Sequence, residues 1–244
     1  MKIGITERGD GGLSFTKVKK AIDTKIVDGA IVITKCPSKL INEIEYLKNN
    51  QNILIHATIT GLGGSIFEPN VNTADYELEA YKTLYTKLDG RVVLRIDPII
   101  FDCRYFKMAV DVIKHTLGRV RISFLDTYPH VKERFNIAGI IPNDFLHYDL
   151  AKRQEVLEIL QGIVNQKNNG FINKIEICGE PGMECTGCVS EKDISILGLN
   201  HLLGGLKGKN IRPACCCIAD KVELLNCKHP CKHNCIYCYW RQDK

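Results

Sequence analysis

Ten of the chain's twelve cysteines lie between Cys178 and Cys238, and three of them form the run Cys231-Lys-His-Asn-Cys235-Ile-Tyr-Cys238. Three thiolates at this spacing sit on one short loop and can hold three irons of a 4Fe–4S cube, leaving the fourth iron without a protein ligand. An open iron can chelate the amino and carboxylate groups of a methionine moiety, the end that S-adenosylmethionine presents. An electron from such a cluster cleaves the sulfonium and gives a 5′-deoxyadenosyl radical. The cofactor carries that chemistry, and the protein orients and shields it. Cys231, Cys235 and Cys238 are therefore predicted to ligate a catalytic 4Fe–4S cluster. The electron must come from a reducing partner such as a flavodoxin or ferredoxin.

Zinc competes for the same residue types. A structural zinc site needs four ligands in tetrahedral closure. The pairs Cys185-x-x-Cys188 and Cys235-x-x-Cys238 offer four, but the gap between them is long for a compact ribbon. His229 and His233 read as solvated loop residues. Seven further thiols precede the triplet: Cys178, Cys185, Cys188, Cys215, Cys216, Cys217 and Cys227. Four of them would complete a second 4Fe–4S cluster. Neighbouring side chains of an extended chain point apart, so Cys215 and Cys217 pair better than Cys215 and Cys216. The predicted set is Cys178, Cys188, Cys215 and Cys217. Cys36 and Cys103 stand alone and read as small hydrophobes.

The elements that must position these residues alternate in type. Strand patterns rich in Ile and Val cover residues 2–6, 30–35, 53–60, 91–96, 119–125 and 174–178. Helical spacing marks 40–47, 78–88 and 156–164, and a further helix is predicted over 194–206. Six βα units imply an α/β fold with a parallel sheet, a partial or complete (β/α) barrel. In such a fold the C-terminal strand ends converge on one face. There the sequence places Thr6, Glu7, Arg8 and Asp10, then Lys35, Thr60, Glu68, Arg95, Asp97 and Asp126. Arg8, Asp10, Arg95 and Asp97 are the catalytic candidates. Thr6, Glu7, Lys35, Thr60, Glu68, Asp126 and Tyr237 are the candidates for binding the cofactor. Glu68, Arg95 and Thr60 suit the methionine amine and carboxylate, and Asp97 or Asp126 suits the ribose hydroxyls. Arg95 with Asp97, or Arg8 with Asp10, also read as structural ion pairs.

With 45% apolar and 25% charged residues, the chain can bury an ordinary core without disulfides. The start of the sequence lacks the apolar region of a signal peptide, and no stretch is long and apolar enough for a membrane span. A cytoplasmic protein without a membrane partner is expected, and in that reducing compartment clustered thiols point to metal rather than to cross-links. The net charge of +5 permits a nucleic-acid partner without demanding one. Residues 1–206 read as the barrel-like part and 207–244 as a Cys-rich extension integrated with it.

The ordered set of motifs resembles a bacterial domain-of-unknown-function family with a C-terminal radical SAM cysteine motif and kinship to spore photoproduct lyase. The matching blocks are Thr6-Glu-Arg-Gly-Asp10, Thr34-Lys-Cys-Pro37, Thr58-Ile-Thr-Gly61, Glu68-Pro-Asn70, Arg95-Ile-Asp-Pro98 and Ser123-Phe-Leu-Asp126 with Tyr128. Further along come Cys178-Gly-Glu180, Cys188, Cys215-Cys-Cys217 and the final triplet with Tyr237 and Tyr239. The resemblance implies a radical SAM barrel that looks circularly permuted, because its cluster loop comes last. It departs in two places: Cys36 stands where the family has Asn, and 220–223 reads Asp-Lys-Val-Glu. Cys185, Cys216 and Cys227 are extra. The function so implied is a radical SAM enzyme acting on an unknown substrate, with nucleic acid or a nucleotide suggested by the kinship. The alternative is a non-catalytic zinc- or Fe–S-bearing nucleic-acid-binding protein, which would need surface cations and exposed aromatic rings.

Overall fold

A computed structural model of the chain describes residues 2–140, 149–167, 174–205, 216–218, 221–225 and 231–241. Cys215, Cys227 and His229 lie outside the described residues, so nothing is said of their place. The strands are β1 (Ile3–Ile5), β2 (Gly29–Thr34), β3 (Ile53–Thr58), β4 (Val92–Ile99), β5 (Val120–Phe124), β6 (Glu176–Ile177) and β7 (Lys221–Glu223). All pair in parallel, in the order β6-β5-β4-β3-β2-β1-β7, and the sheet curls into a half-barrel. The fold is thus the partial form of the expected barrel, with seven strands among the described residues where six were expected.

Two differences from the sequence-based elements have local causes. β4 continues past residue 96 because a register shift between Ile96 and Ile99 accommodates Pro98, which cannot donate to a ladder. The helix predicted over 194–206 is instead α7 (Glu191–Ile196) and a 3-10 helix over Asn200–Gly205, separated at Gly198 with φ of +72°. Among the described residues, α5 (Pro129–Ile137) packs Val131 and Phe135 against Leu62, Phe67 and Cys235, while the outer face of the sheet carries α1 (Phe15–Asp23), α2 (Ile44–Asn49), α3 (Ala74–Lys87), α4 (Cys103–Ile113) and α6 (Leu150–Lys167). Alternate strand residues such as Val32, Ile55, Leu94 and Ile122 pack with these helices in the main core.

The concave face is different. Its lower layer is apolar, with Ile3, Ile5, Ile31, Leu54 and Val93 beneath Val189, Ile194 and Leu197. Next to it sits a buried ionic network. Arg121, fully buried, donates through Nε to Glu176 (3.0 Å), through Nη2 to Asp193 (3.1 Å) and through Nη1 to the carbonyl of Cys188 (3.2 Å). Arg119 joins the same two carboxylates, with 2.7 Å to Glu176 and 2.8 Å to Asp193. His56 faces the network, 3.5 Å from Arg121 Nη1 and 3.9 Å from Asp193.

Burial and the two nearby guanidiniums of Arg121 and Arg95 push His56 down from its ordinary 6.5 to about 4, against the pull of Asp193. Below pH 6.5 the unfolded chain therefore takes up a proton that the folded protein refuses, so stability falls as the pH drops towards 4. Glu176 and Asp193 act in the same direction, since their cationic partners, overcoming burial, hold both below the ordinary carboxylate range. The urea midpoint is expected to be lower at pH 5 than at pH 7, with the difference reduced in a His56→Gln variant. An equal or higher midpoint at pH 5 would contradict this.

Candidate active site

The loop that carries the last three cysteines is seated on the strand-end mouth. Ile236 N donates to Phe67 O (3.1 Å), and Asn70 Nδ2 donates to Lys232 O (2.9 Å). The Arg134 guanidinium from α5 donates to three loop carbonyls: Ile236 at 2.7 Å, Cys238 at 2.6 Å and Arg241 at 2.9 Å. Cys235 and Tyr237 are buried in a cluster with Leu62, Phe67, Val71, Ile100, Leu125 and Phe135. An Arg134→Ala variant is expected to make the chain near residues 231–241 sensitive to limited proteolysis while the sheet resists. Unchanged cleavage would show that the apolar contacts alone hold the loop.

His233 corrects the sequence-based expectation. It is buried, not solvated, at 3% exposure. Its Nε2 lies 2.8 Å from Asp10 Oδ2 and 3.6 Å from Cys36 Sγ. Asp10 also accepts from the amides of Leu13 (3.0 Å) and Lys35 (2.6 Å) and from the Thr34 hydroxyl (2.7 Å). Burial disfavours its charge, but His233, and after it the Leu13 amide and the Thr34 hydroxyl, hold it below the ordinary carboxylate range. Gly11 lies tight against this corner, where a Cβ would come 2.6 Å from Thr6 Oγ1. Asp10 thus ties the first strand end to the last loop through His233. The Arg8–Asp10 ion pair does not form: Arg8 is exposed, and its guanidinium stands 4.5 Å from the centre of the Trp240 ring.

At the centre of the mouth, Lys35 Nζ donates to Glu68 Oε1 (2.8 Å) and to Asp97 O (3.2 Å), and the Tyr237 hydroxyl donates to the same Glu68 oxygen. Burial weighs against the Lys35 ammonium, yet Glu68, Cys235 and Asp97 raise it above its ordinary value. The Cys235 thiol is pushed up to about 12 by burial, then by Glu68, Cys238 and Cys231, with Lys35 opposing. Arg95 pairs with Asp97, whose other oxygen accepts from Ser123 Oγ at 2.9 Å. Among the described residues, Arg95 Nη1 and Thr58 Oγ1 are buried here without a hydrogen-bond partner, so both can take a polar ligand or a water.

A second group of thiols lines the concave face just past β6. Cys178 Sγ and Cys188 Sγ are 2.9 Å apart. Cys188 N donates to Cys217 Sγ (3.3 Å), and Gly179 N donates to Cys185 Sγ (3.2 Å). Cys216 adjoins Cys185. The pairs Cys185/Cys188 and Cys235/Cys238 sit apart, Cys188 in the concave-face cluster and Cys235 in the mouth cluster. Among the described residues, no group of three or more His, Cys, Asp or Glu side chains is placed to hold a metal ion. In a cube each thiolate binds a different iron, so the ligands need not meet at one point.

The structure therefore brings Lys35, Glu68 and Tyr237 together beside Cys235, with Asp97 joined through Lys35, Arg95 through Asp97, and Asp10 through His233 of the same loop. Thr60, at 3% exposure, borders the same mouth and accepts from Leu62 N at 3.1 Å. Thr6 bridges β1 and β2 by hydrogen bonds to Ile33 at both its amide (2.8 Å) and its carbonyl (3.0 Å). Glu7 is drawn to the β7 side, where Lys221 Nζ donates to it at 2.8 Å. Asp126 lies towards Glu180, whose carboxyl burial lifts to about 7, with Asp126 raising it further and Phe124 N and Arg153 opposing. The sequence placed Ser123 at a strand end, but it read His233 as solvated and did not mark Arg134 or Lys221 as site residues. Their signal was slight: a histidine between two ligand cysteines, a guanidinium mid-helix, and a charged three-residue strand.

The chain belongs to the family described as a domain of unknown function (DUF1848), which matches residues 13–240. No curated protein and no solved structure matches the chain. Among the described residues, no helix is long and apolar enough to cross a membrane.

Proposed function

We propose that the chain is a radical S-adenosylmethionine enzyme whose catalytic 4Fe–4S cluster is held by Cys231, Cys235 and Cys238. The observation that carries this is the seat of the thiol loop. It closes over the strand-end mouth, with Cys235 at 6% exposure beside Lys35, instead of standing off the domain as a separate finger. The donor set also fits: three thiols lie on eight residues, a cation faces the central one, and two orphaned polar groups lie in the same mouth. When bound, the cluster with S-adenosylmethionine supplies a 5′-deoxyadenosyl radical.

The chain's own residues would bind and shield. Lys35 offsets the negative charge of the thiolate-bound cluster, and Glu68 and Tyr237 hold Lys35 in place. Arg95, with its free Nη1, is suited to the methionine carboxylate, and Glu68 and Thr60 to the amine. Asp97, fixed by Ser123, is suited to a ribose hydroxyl. The loop's contacts with Phe67, Asn70 and Arg134 exclude water from the mouth, as a reactive radical requires. A reducing partner of the flavodoxin or ferredoxin class would supply the electron. Nucleic acid or a nucleotide is the substrate class favoured by the rim, where Tyr128, His130, Tyr239 and Trp240 form a run of adjacent rings with Arg8 over the last.

Protein purified without oxygen is expected to be brown and to carry iron. Zinc with no iron after cluster reconstitution would overturn the proposal. Arg95→Ala is expected to weaken S-adenosylmethionine binding by about ten- to a hundredfold, the loss of one charge-assisted hydrogen-bonded contact. Asp97→Asn should act in the same direction, and both variants should keep the cluster spectrum of the parent. If both bind and cleave S-adenosylmethionine normally, the pair is purely structural.

A further inference from the structure

We propose that the concave face of the half-barrel holds a second, closed iron–sulfur site, a 4Fe–4S cluster ligated by Cys178, Cys185, Cys188 and Cys217. This stands independently of the reading of the C-terminal triplet. Two chain segments distant in sequence, 178–188 and 216–217, meet here and bring Cys178, Cys185, Cys188, Cys216 and Cys217 into one neighbourhood. Their approach is built in. A Cβ at Gly187, whose φ is +77°, would stand 2.9 Å from the carbonyl of Cys216 and from the amide of Cys217. A side chain there would force the segments apart. Ile218 N donates to Val189 O at 3.0 Å, Thr186 N donates to Ile177 O at 2.8 Å, and the buried Arg121 holds the carbonyl of Cys188.

The sulfurs are also prepared as ligands. Backbone amides donate to two of them, Cys185 and Cys217, and such hydrogen bonds stabilise thiolates on a cluster. Arg121 and Lys221 stand beside the group and offset part of its negative charge when it is loaded. Cys178 Sγ and Cys188 Sγ meet at 2.9 Å in a thiol–thiol contact, which sets two of the ligands side by side. Of the adjacent pair, Cys217 is buried in the same apolar cluster as Cys188, and its sulfur accepts from the Cys188 amide, which selects Cys217 as the fourth ligand. With four protein thiolates every iron corner is filled, so this site has no open position for S-adenosylmethionine. Assembly balances with equal amounts of ferrous and ferric iron and one sulfide per iron, each ligand thiol releasing its proton to water.

The test uses the full chain with the first loop disabled, as Cys231→Ala, Cys235→Ala and Cys238→Ala together, reconstituted anaerobically with that iron mixture and sulfide. About four irons and about four sulfides per chain are expected, the content of one cube. Adding Cys178→Ala and Cys188→Ala should remove them. If that further variant loses its fold by circular dichroism, Cys185→Ser in the triple background decides, since Cys185 lies outside the core clusters. Loss of iron there supports the site. No iron in the triple variant, zinc in its place, iron retained after the second set of substitutions, or a Cys178–Cys188 disulfide in protein kept under reductant would each overturn it. The proposed catalytic function fails separately, if the parent chain binds iron but only at this second site.

Discussion

A Cys235→Ala variant, supplied with reductant and S-adenosylmethionine, is expected to release no 5′-deoxyadenosine above background, whereas the parent releases it steadily. Cys235 is the central member of the triplet and the most buried of the three. Its thiol lies within the charge environment of Lys35, Glu68, Cys231 and Cys238, so no neighbouring thiol can replace it without moving the loop. Removing it leaves a cube with two protein ligands, which loses iron. The effect on activity is therefore complete loss, while the fold should hold, because the loop's hydrogen bonds run through the carbonyls of Ile236, Cys238 and Arg241. Turnover at the parent rate would show that the cluster, if present, is held elsewhere.

The largest expected change in stability comes from Arg121→Met. Arg121 is completely buried and serves Glu176, Asp193 and the carbonyl of Cys188 at once. The substitution leaves two buried carboxylates with Arg119 as their remaining cation. Breaking a buried network by removing one partner costs about 3–5 kcal/mol. For a chain of this size that corresponds to a fall in Tm on the order of 10 °C. Thermal unfolding followed by circular dichroism measures it. A fall of a degree or two would mean that Arg119 alone neutralises both carboxylates.

The parallel strands were legible because buried strands are runs of Ile, Val, Leu and Ala, and six of the seven read that way. β7 did not, since Lys-Val-Glu is short and mostly charged, and it belongs to the sheet only through its pairing with β1. The mouth was legible for a topological reason: parallel strands deliver their C-terminal ends to one face, which is how Lys35, Glu68, Arg95 and Asp97 come together. Their partners were not. His233 meets Asp10 across 223 residues of chain, and Arg134 meets the loop across more than 100. Neither contact leaves any periodicity in the sequence. The thiol positions were plain, but their grouping was not. Cys185, set aside as an extra, sits among Cys178, Cys188 and Cys217 because Gly187 lets two backbones approach.

The measurement that bears most directly on the proposed activity is the electron paramagnetic resonance spectrum of the reduced, reconstituted full chain, recorded with and without S-adenosylmethionine. An iron with no protein ligand changes its coordination when the methionine end binds, whereas a fully ligated cluster does not. The proposal expects a reduced 4Fe–4S signal from the parent, part of which shifts on addition of S-adenosylmethionine, and no shift in the Cys235→Ala variant. A reduced-cluster signal that is identical with and without S-adenosylmethionine, or no iron signal at all, would contradict it.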